Sequence, residues 1–227
     1  MNNIKKRSKK ILNLKQYNKN NYPEFVSDIN DICPYNKQYI LRCLIKKGFD
    51  DFKIPDELLW LKNIIEKSYN YQKNIIKIEH SFCYVTVRHG LIESTTDDEW
   101  HVDGFSMRIN HIPEQNYIYS NILPTEYLVK KLNLNNFNPF EENIHKIIQK
   151  NINNNSKINK LVINKLYCLD PYVIHRRPVI KDNNLNRTFV RISFTPIEIQ
   201  DTNNTLNPLI PTNFNYDGVL QFRNNLK

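Results

Sequence analysis

The clearest pattern along the chain is an alternation of apolar and polar side chains, which predicts a series of β-strands. In "SFCYVTVRHG" the alternation sets Tyr84, Thr86 and Arg88 on one face and two valines on the other, and it stops at Gly90. Successive side chains of a strand point to opposite faces, so this spacing predicts a strand with one face against a core. The same pattern predicts further strands in "WHVDGFSMRI", "NYIYSNIL", "KLVINKLYCL", "YVIHRRPVI" and "RTFVRISFTPIEI".

Helical spacing of apolar residues appears in three other segments. "IPDELLWLKNIIEKS" predicts a helix that begins after Pro55. "PTEYLVKKL" predicts a second helix with Thr125 as its cap, and "NPFEENIHKIIQKN" predicts a third with a capping box formed by Asn138 and Glu141. The second and third helices make up a helical insertion at about residues 124–155.

Together these elements predict a fold that is mainly β, with an antiparallel core flanked by N-terminal helices. A length of 227 residues with 40% hydrophobic content suits one sizeable core. We expect residues 1–20, which are polar and basic, to be disordered or loosely attached, and residues 21–227 to form a single domain. The chain has no internal repeat and no glycine pattern of a Rossmann fold or a P-loop.

The net charge of +9 raises the question of nucleic-acid binding, because clustered lysines and arginines release counterions from phosphates. Two observations weaken that interpretation. The abundance of Asn, Ile, Lys and Tyr is typical of an AT-rich genome, which raises the lysine content whatever the function. Much of the excess charge also lies in a short basic run at residues 5–10, of a kind that is usually solvated. Nucleic acid is therefore an alternative partner and not the favoured one.

No stretch reaches the ~18 to 20 uncharged apolar residues that a membrane helix needs, and the first residues lack the apolar core of a secretory signal. We therefore expect a soluble intracellular protein, cytoplasmic or nuclear, without a membrane partner. The four cysteines, Cys33, Cys43, Cys83 and Cys168, show no CxxC spacing. This pattern predicts free thiols in a reducing compartment, with neither disulfides nor a cysteine zinc site.

The segment "EWHVDGF" carries the first candidate chemistry. His101 and Asp103 are two positions apart, so on an extended strand both side chains reach toward the same side and toward one ion. Such a pair is a weak signal by itself, since a buried histidine beside a loop aspartate explains it equally well. What the other strands supply decides between the two interpretations.

Two later strands supply suitable partners. His175 lies in the short apolar strand "YVIH", where an imidazole is costly to bury without a partner or a metal. In "RTFVRISFTPIEI", Arg191 and Ser193 share one face of a strand that is apolar on both faces, so Arg191 is expected to point inward to an anion. A carboxylate bound by the planar guanidinium fits this expectation, and an ion pair with an acidic core residue is the alternative. Two histidines and one carboxylate with open metal positions are the facial triad that suits a non-haem ferrous ion.

The order of these motifs is similar to that of a known superfamily over about residues 80–200. HxD, then a distal His, then Arg-x-Ser on the following strand resembles the iron(II)- and 2-oxoglutarate-dependent dioxygenases. "RISFTPIE" resembles the alkylation-repair members, although Ile197 and Glu198 stand where that branch carries a second arginine. "WHVDGF" resembles the phytanoyl-type members equally well, so the branch is unassigned.

The resemblance implies a fold, a metal and two co-substrates. The fold would be a double-stranded β-helix, or jelly roll. His101, Asp103 and His175 would hold Fe(II), and Arg191 with Ser193 would bind the distal carboxylate of 2-oxoglutarate. Dioxygen would be the second co-substrate, and an unidentified substrate would be hydroxylated, or oxidatively demethylated, with release of succinate and carbon dioxide.

Further candidates rest on strand position alone. Tyr84 and Tyr119 are candidates for co-substrate binding, because they lie on the strands before and after the HxD segment. Arg88, Asn121 and Arg177 are candidates for substrate binding, since they share strand faces with Tyr84, Tyr119 and His175 respectively. Plain packing or solvation is the alternative for each of these five residues.

Two histidines compete with the proposed metal ligands, and two other functions compete with oxygenation. His89 and His111 lie close to the HxD pair in sequence, but neither has a carboxylate two positions on. A metal-binding jelly roll with non-oxidative chemistry, such as an isomerase, would keep the triad without needing the Arg191 socket. A nucleic-acid-binding protein would use the β core as a scaffold and the N-terminal basic run as its contact. The substrate, whether small molecule, peptide or nucleic acid, depends on loops that the sequence alone does not decode.

Overall fold

The computed structural model describes residues 12–48, 51–92, 99–105, 113–138, 141–152, 156–180 and 184–212. In this part of the chain the expected mainly β architecture is confirmed, with nine strands in two antiparallel sheets. The strands are β1 (Glu24–Asp28), β2 (Tyr39–Lys47), β3 (Phe82–Leu91), β4 (Gln115–Ser120), β5 (Glu126–Leu128), β6 (Ile158–Lys160), β7 (Lys165–Leu169), β8 (Ile174–Arg176) and β9 (Asn186–Thr195). The helices are two 3-10 helices (Leu14–Asn18 and Asp56–Leu61), α1 (Lys62–Tyr71), which continues as a π-helical turn (Gln72–Ile76), and α2 (Ile144–Asn151).

β9 lies inside the larger, six-stranded sheet, whose order is β1-β7-β4-β9-β3-β2. It pairs with β3 on one side and β4 on the other, in both cases antiparallel and without a register shift. In this register Arg191 lies between Thr86 of β3 and Ile118 of β4. Directly paired residues of antiparallel strands project to the same face, so these three side chains share one face of the sheet.

The smaller sheet has the order β6-β5-β8. Beside β8, His101 forms an isolated antiparallel bridge with His175, in which each backbone N–H donates to the other residue's carbonyl oxygen at 2.9 Å. The HxD segment thereby joins the edge of the small sheet at β8. Residues 106–109 of the strand predicted in this segment lie outside the described residues.

The outer face of the large sheet packs against α1 and the 3-10 helix that precedes it. Val190 and Ile192 of β9 belong to one buried cluster with Ile64 and Ile65 of α1. Burying each such side chain contributes about 1.5–3 kcal/mol, which fixes the apolar face of β9 toward the helix. The helix predicted after Pro55 is confirmed, with 3-10 geometry in its first part. None of the described helices is long and apolar enough to cross a membrane.

A second apolar cluster covers the outer face of the small sheet. It joins Ile144 of α2 and Ile174 of β8 to Tyr17 near the N-terminus. Tyr17 is 1% exposed, and its hydroxyl donates to the carbonyl oxygen of Pro171 at 2.7 Å. Residues 12–20 therefore pack on the core through this ring, which corrects the expectation that all of residues 1–20 are loosely attached. Residues 1–11 lie outside the described part.

Two predicted helices need correction. The helix predicted at "PTEYLVKKL" is wrong, because residues 126–128 form β5, whose pairing with β6 and β8 overrides the helical spacing. α2 begins at Ile144 and not near Asn138. The side chain of Asn143 caps α2 by accepting a hydrogen bond from the N–H of His145 at 2.8 Å. In the described residues the expected insertion at 124–155 thus holds one short α-helix, and its first part is sheet.

Three strand assignments also differ from expectation. β1 and β2 precede α1, where only helices were predicted, and they extend the large sheet at its two edges. "KLVINKLYCL" was expected to be one strand, but the chain turns at Asn164, which has a left-handed φ of 57°. β6 and β7 consequently belong to different sheets.

A largely buried ion pair links β5 and β8. The Glu126 carboxylate accepts hydrogen bonds from Nε and Nη2 of Arg176 at 2.9 and 2.8 Å. We expect Glu126→Ala to lower the free energy of unfolding by about 3 kcal/mol, because the Arg176 guanidinium is left buried without its carboxylate. Urea unfolding followed by circular dichroism measures this loss.

Lys160→Ala is the matched control. Its ammonium lies 3.4 Å from the same carboxylate, but the side chain is 64% exposed. An exposed partner contributes little, so the expected loss is about 0.5 kcal/mol or less. Equal losses in the two variants would contradict the assigned role of the Glu126–Arg176 pair.

Candidate metal centre

Three side chains from two segments converge at the edge of the small sheet. His101 and Asp103 come from the HxD segment and His175 from β8, and one ligand atom of each lies within 4.8 Å of the other two. Nε2 of His175 is 3.4 Å from Oδ2 of Asp103, and Nε2 of His101 is 4.0 Å from Oδ1. The backbone bridge between the two histidines holds their rings 4.6 Å apart, centroid to centroid. The structure therefore brings together the three residues that the sequence singled out as metal ligands.

Backbone carbonyls orient both imidazoles. Nδ1 of His101 lies 2.9 Å from the carbonyl oxygen of Glu99, and Nδ1 of His175 lies 2.9 Å from that of Val173. A carbonyl oxygen only accepts, so in each neutral ring Nδ1 carries the proton and Nε2 presents its lone pair. Metal-bound histidines are held in this way by a hydrogen bond from the second ring nitrogen.

Burial and neighbouring charges keep Asp103 and His101 in the forms that bind cations. Burial by itself raises the pKa of Asp103, but the Arg191 guanidinium and the two imidazoles outweigh it and hold that pKa well below its usual range. Burial and the neighbouring His175 lower the pKa of His101. At neutral pH the group thus offers a carboxylate and an unprotonated His101.

The backbone after Asp103 has room for glycine only. Gly104 has a φ of +68°, and a Cβ added there would lie 2.6 Å from Cβ of Glu114. This close approach sets a second carboxyl beside the centre. Burial raises the pKa of Glu114, with Asp103 adding to the shift and Arg191 opposing it.

Arg191 points into the space between the sheets, as expected, and contacts the centre directly. Its Nη1 donates to Oδ2 of Asp103 at 3.0 Å, so the ion-pair alternative is the arrangement that the structure shows. Among the described residues, Nε of Arg191 and Oγ1 of the facing Thr86 are buried without a hydrogen-bond partner. Both atoms are enclosed by the protein, on directly paired residues of β9 and β3.

Ser193 and Tyr84, two of the residues expected to bind the co-substrate, lie on this face, but their hydroxyls form hydrogen bonds within the protein. Ser193 donates to Oδ1 of Asn116 at 2.5 Å. The hydroxyl of Tyr84 accepts a hydrogen bond from the backbone N–H of Ile199 at 2.8 Å, and its ring is buried. Both side chains shape the inner wall, and neither hydroxyl is directed at Asp103.

Tyr119 and Asn121 lie on the wrong face of the sheet for the roles expected of them. Tyr119 is paired with Val190, so it shares the outer face, and its hydroxyl donates to the carbonyl oxygen of Asp31 at 3.2 Å. Oδ1 of Asn121 accepts from the backbone N–H of Thr188 at 2.7 Å. The expected faces are inverted here because pairing with β9, and not proximity to the HxD segment, decides where β4 residues point.

Arg187 is the residue that sequence reasoning missed. It is 7% exposed, and its guanidinium donates to the carbonyl oxygen of Leu123 at 3.0 Å and to the hydroxyl of Ser120 at 3.2 Å. Burial, together with the guanidiniums of Arg177 and Arg88, lowers the pKa of Arg187 to about 9. The signal was present in the sequence, because Arg187 is four residues before Arg191 and therefore shares its strand face.

The structure thus gathers three arginines at the far end of the face that carries Arg191. Arg88 and Arg177, expected to contact substrate, lie near enough to Arg187 to affect its pKa, and the acceptors of Arg187 among the described residues are all neutral. A buried guanidinium with neutral acceptors is a candidate group for holding an anion.

The competing histidines do not join the three-residue group. His89 faces the outer side of the sheet, with Nδ1 2.8 Å from Oγ1 of Thr188. His111 lies outside the described residues. His145 of α2 is near His101, at 6.2 Å between ring centroids, but lies outside the group of ligand atoms.

The donor set fits a divalent transition metal with open coordination positions. Two imidazole nitrogens and one carboxylate on one side of an ion leave the other side free, which is the arrangement typical of non-haem Fe(II) sites. The residues present are therefore suited to hold such an ion.

Comparison with known proteins finds no matching family model and no matching curated protein. Among solved structures, the chain is similar to the crystal structure of EvdMO1, at 12% identity and a TM-score of 0.37. The match covers 78% of this chain and 40% of that one, so this chain spans less than half of its length. A likeness of this size carries no argument about chemistry, and the function must be argued from the site itself.

We expect His175→Ala and Asp103→Ala each to abolish tight binding of Co²⁺ by the metal-free protein, because either change removes one of three ligands. Titration followed by the visible absorption of Co²⁺ measures the loss. His145→Ala is the matched control, since it removes a neighbouring imidazole that is not a ligand, and it should bind Co²⁺ as the unmodified chain does. Co²⁺ binding that survives both His175→Ala and Asp103→Ala would place the metal elsewhere.

Proposed function

We propose that this protein is an Fe(II)- and 2-oxoglutarate-dependent dioxygenase that hydroxylates, or oxidatively demethylates, a substrate not yet identified. One observation carries the proposal. A group of two histidines and one carboxylate faces a space between two sheets whose inner wall carries Arg191 and, farther along the same strand face, Arg187. Metal ligands and buried cationic side chains on one wall are what an anionic co-substrate that also binds the metal requires.

The strand order supports a double-stranded β-helix. We count β3, the segment at His101 and then β4 to β9 as eight successive strands. The large sheet then has the order 1-8-3-6 and the small one 2-7-4-5, with β1 and β2 added outside this core. This is the strand order of a jelly roll, in which two four-stranded sheets enclose an inner space.

A ferrous ion bound by this group would supply the activation of dioxygen and the oxidation of a C–H bond. The protein's own residues would hold the ion and orient its ligands. His101, Asp103 and His175 would hold the ion through two imidazole nitrogens and one carboxylate, with further coordination positions available to ligands. Arg191 neutralises part of the charge of Asp103 and orients its carboxylate through Nη1. Phe189 lies between Arg187 and Arg191 on the same strand face and adds an apolar side chain to it.

The two arginines of β9 suit the two ends of a dicarboxylic keto acid. Arg191 touches Asp103 and so suits a carboxylate held near the metal. Arg187 is four residues earlier, roughly 13 Å along the strand at about 3.3 Å per residue, and extends its side chain from there. We therefore assign the distal carboxylate to Arg187 with Ser120, in place of Arg191 with Ser193, whose hydroxyl proton is engaged by Asn116.

Arg187 favours oxygenation over a non-oxidative metal enzyme, which has no need of a buried guanidinium with neutral acceptors alone. Nucleic acid is the alternative substrate, because the basic run at residues 5–10 would suit its phosphates. That run lies outside the described part of the chain. A small molecule or a peptide side chain is equally compatible with the inner space. Turnover assays with each class, measuring succinate released, will separate these substrates.

Anaerobic addition of 2-oxoglutarate to the Fe(II)-loaded protein should produce the visible charge-transfer band of a chelated keto acid. We expect Arg187→Met to raise the 2-oxoglutarate concentration needed for half of this band by about tenfold or more, as loss of a charge-assisted hydrogen bond predicts. Arg187→Lys should restore part of the affinity, because it keeps the charge without the fork. His175→Ala should remove the band altogether.

Arg42→Met is the matched control, because this arginine of β2 is paired with Asp201 at 2.7 Å and is assigned no part in binding. It should leave the midpoint unchanged, with folding of every variant checked by circular dichroism. A band with the same midpoint in Arg187→Met and Arg191→Met would refute the carboxylate assignments. Metal binding without any band would refute the keto acid and favour non-oxidative chemistry.

A further inference from the structure

A cavity of about 200 Å³ lies on the face of the large sheet that points away from the metal centre. It forms where β1 and β4 begin and β7 ends, beside the π-helical turn that follows α1. Glu24 pairs with Cys168, and Cys168 pairs with Tyr117, so these three side chains share one face of the sheet. Tyr117 belongs to the buried cluster on the α1 side, and the sheet therefore separates this cavity from the metal ligands.

Gln115 directs an unsatisfied amide group into this cavity. The residue lines the cavity and is 5% exposed, and its Oε1 accepts a hydrogen bond from Sγ of Cys168 at 3.6 Å. Nε2 forms no hydrogen bond with the described residues, yet it is not one of the fully enclosed polar atoms that lack a partner. It therefore keeps surface toward the cavity, where its two N–H donors need an acceptor.

Two carboxylates face the same space, and the described lining includes no lysine, arginine or histidine beside them. Oε2 of Glu24 accepts from the hydroxyl of Tyr71 at 2.8 Å, and Oδ1 of Asp170 accepts from the backbone N–H of Tyr172 at 2.9 Å. Burial raises the pKa of Asp170 to about 6; the Tyr172 N–H opposes this rise, and the Glu24 carboxylate adds to it. At about pH 8 the cavity thus holds negative charge that the described lining does not balance.

The rest of the lining suits an organic cation better than a metal ion. Tyr22 and Tyr172 contribute aromatic rings, whose faces attract ammonium groups. A metal ion needs several ligand atoms close together, and among the described residues such a group occurs at His101, Asp103 and His175 and not here. A volume of about 200 Å³ equals that of about seven water molecules at roughly 30 Å³ each, so the ligand must be small.

We propose that this cavity binds a small organic ammonium ion that also carries a hydroxyl or carbonyl oxygen. The carboxylates of Glu24 and Asp170 hold the ammonium group, and Nε2 of Gln115 donates to the oxygen. The site is distinct from the proposed oxygenase centre, and its ligand requires neither the metal nor 2-oxoglutarate.

The test follows the side-chain amide signals of full-length protein labelled with ¹⁵N-glutamine by NMR at about pH 8. The probe is ethanolamine, and the neutral control is ethylene glycol, which has a hydroxyl in place of the ammonium group. NaCl at equal concentration accounts for ionic strength, and the Gln115 signals are those that disappear in Gln115→Met. We expect ethanolamine to shift them saturably with a dissociation constant of about 10 mM or less, and ethylene glycol to bind at least about tenfold more weakly.

Gln149 is the internal control for this measurement. Its Nε2 donates to the carbonyl oxygen of Trp100 at 3.1 Å, and it lies on α2, away from the cavity. Its signals should therefore stay in place when ethanolamine is added.

Asp170→Asn and Glu24→Gln should each weaken ethanolamine binding about tenfold, because each change removes a negative charge and keeps the oxygen that accepts a hydrogen bond within the protein. Asp28→Asn is the matched control on the same strand as Glu24. The Asp28 side chain is 71% exposed and lies 3.5 Å from Nζ of Lys165, so its loss of charge should leave the affinity unchanged. Circular dichroism checks folding, and Glu24→Gln alone decides the matter if Asp170→Asn does not fold.

The proposal is overturned by the absence of a saturable Gln115 shift with ethanolamine, by equal affinity for ethylene glycol, or by unchanged affinity in a folded Asp170→Asn or Glu24→Gln variant. Equal weakening in Asp28→Asn would overturn it as an effect of net charge. Tighter binding of Ca²⁺ than of ethanolamine at the same amide would overturn it in favour of a metal site. None of these results bears on the three metal ligands, so failure here and failure of the proposed oxygenase are distinguishable.

Discussion

The two-residue alternation along β9 is the constraint on which the rest of the structure depends. Val190 and Ile192 face the helix-covered core, so Arg191 between them must face the space between the sheets. A shift of pairing by one residue would bury the arginine against α1 and expose the valine to the polar interior. The continuous register with both β3 and β4 prevents that shift and sets the positions of Thr86 and Ile118 at the same time.

Because the apolar face of β9 is fixed toward the helix, its opposite face carries the charged side chains. Arg191 finds its anion in Asp103, which two imidazoles also stabilise in its ionised form. Arg187 finds neutral acceptors and lies near two further arginines. One end of the face thus carries the carboxylate and imidazoles that could hold a cation, while the other carries the buried Arg187 guanidinium with neutral acceptors.

The same sheet separates two chemically different environments. The inner side is ionic and joined to the small sheet by the backbone bridge between His101 and His175. The outer side is neutral where it meets the loop after β1, with His89 and several asparagines. Adjacent residues of one strand, such as Arg88 and His89, therefore face different environments, and closeness in sequence says little about which environment a side chain meets.

The sequence by itself determined the features that local pattern controls. Alternation predicted β3 and β9 and the inward direction of Arg191, and the two-residue spacing of His101 and Asp103 predicted a shared side chain direction. The tertiary structure decided what depends on pairing between distant segments. It converted a helix-like segment into β5, turned Tyr119 and Asn121 to the outer face, added β1 and β2 at the sheet edges, and revealed Arg187. The physical reason is that a strand's own residues set which side chains alternate, whereas hydrogen bonds to its neighbours set which of its two faces becomes the interior.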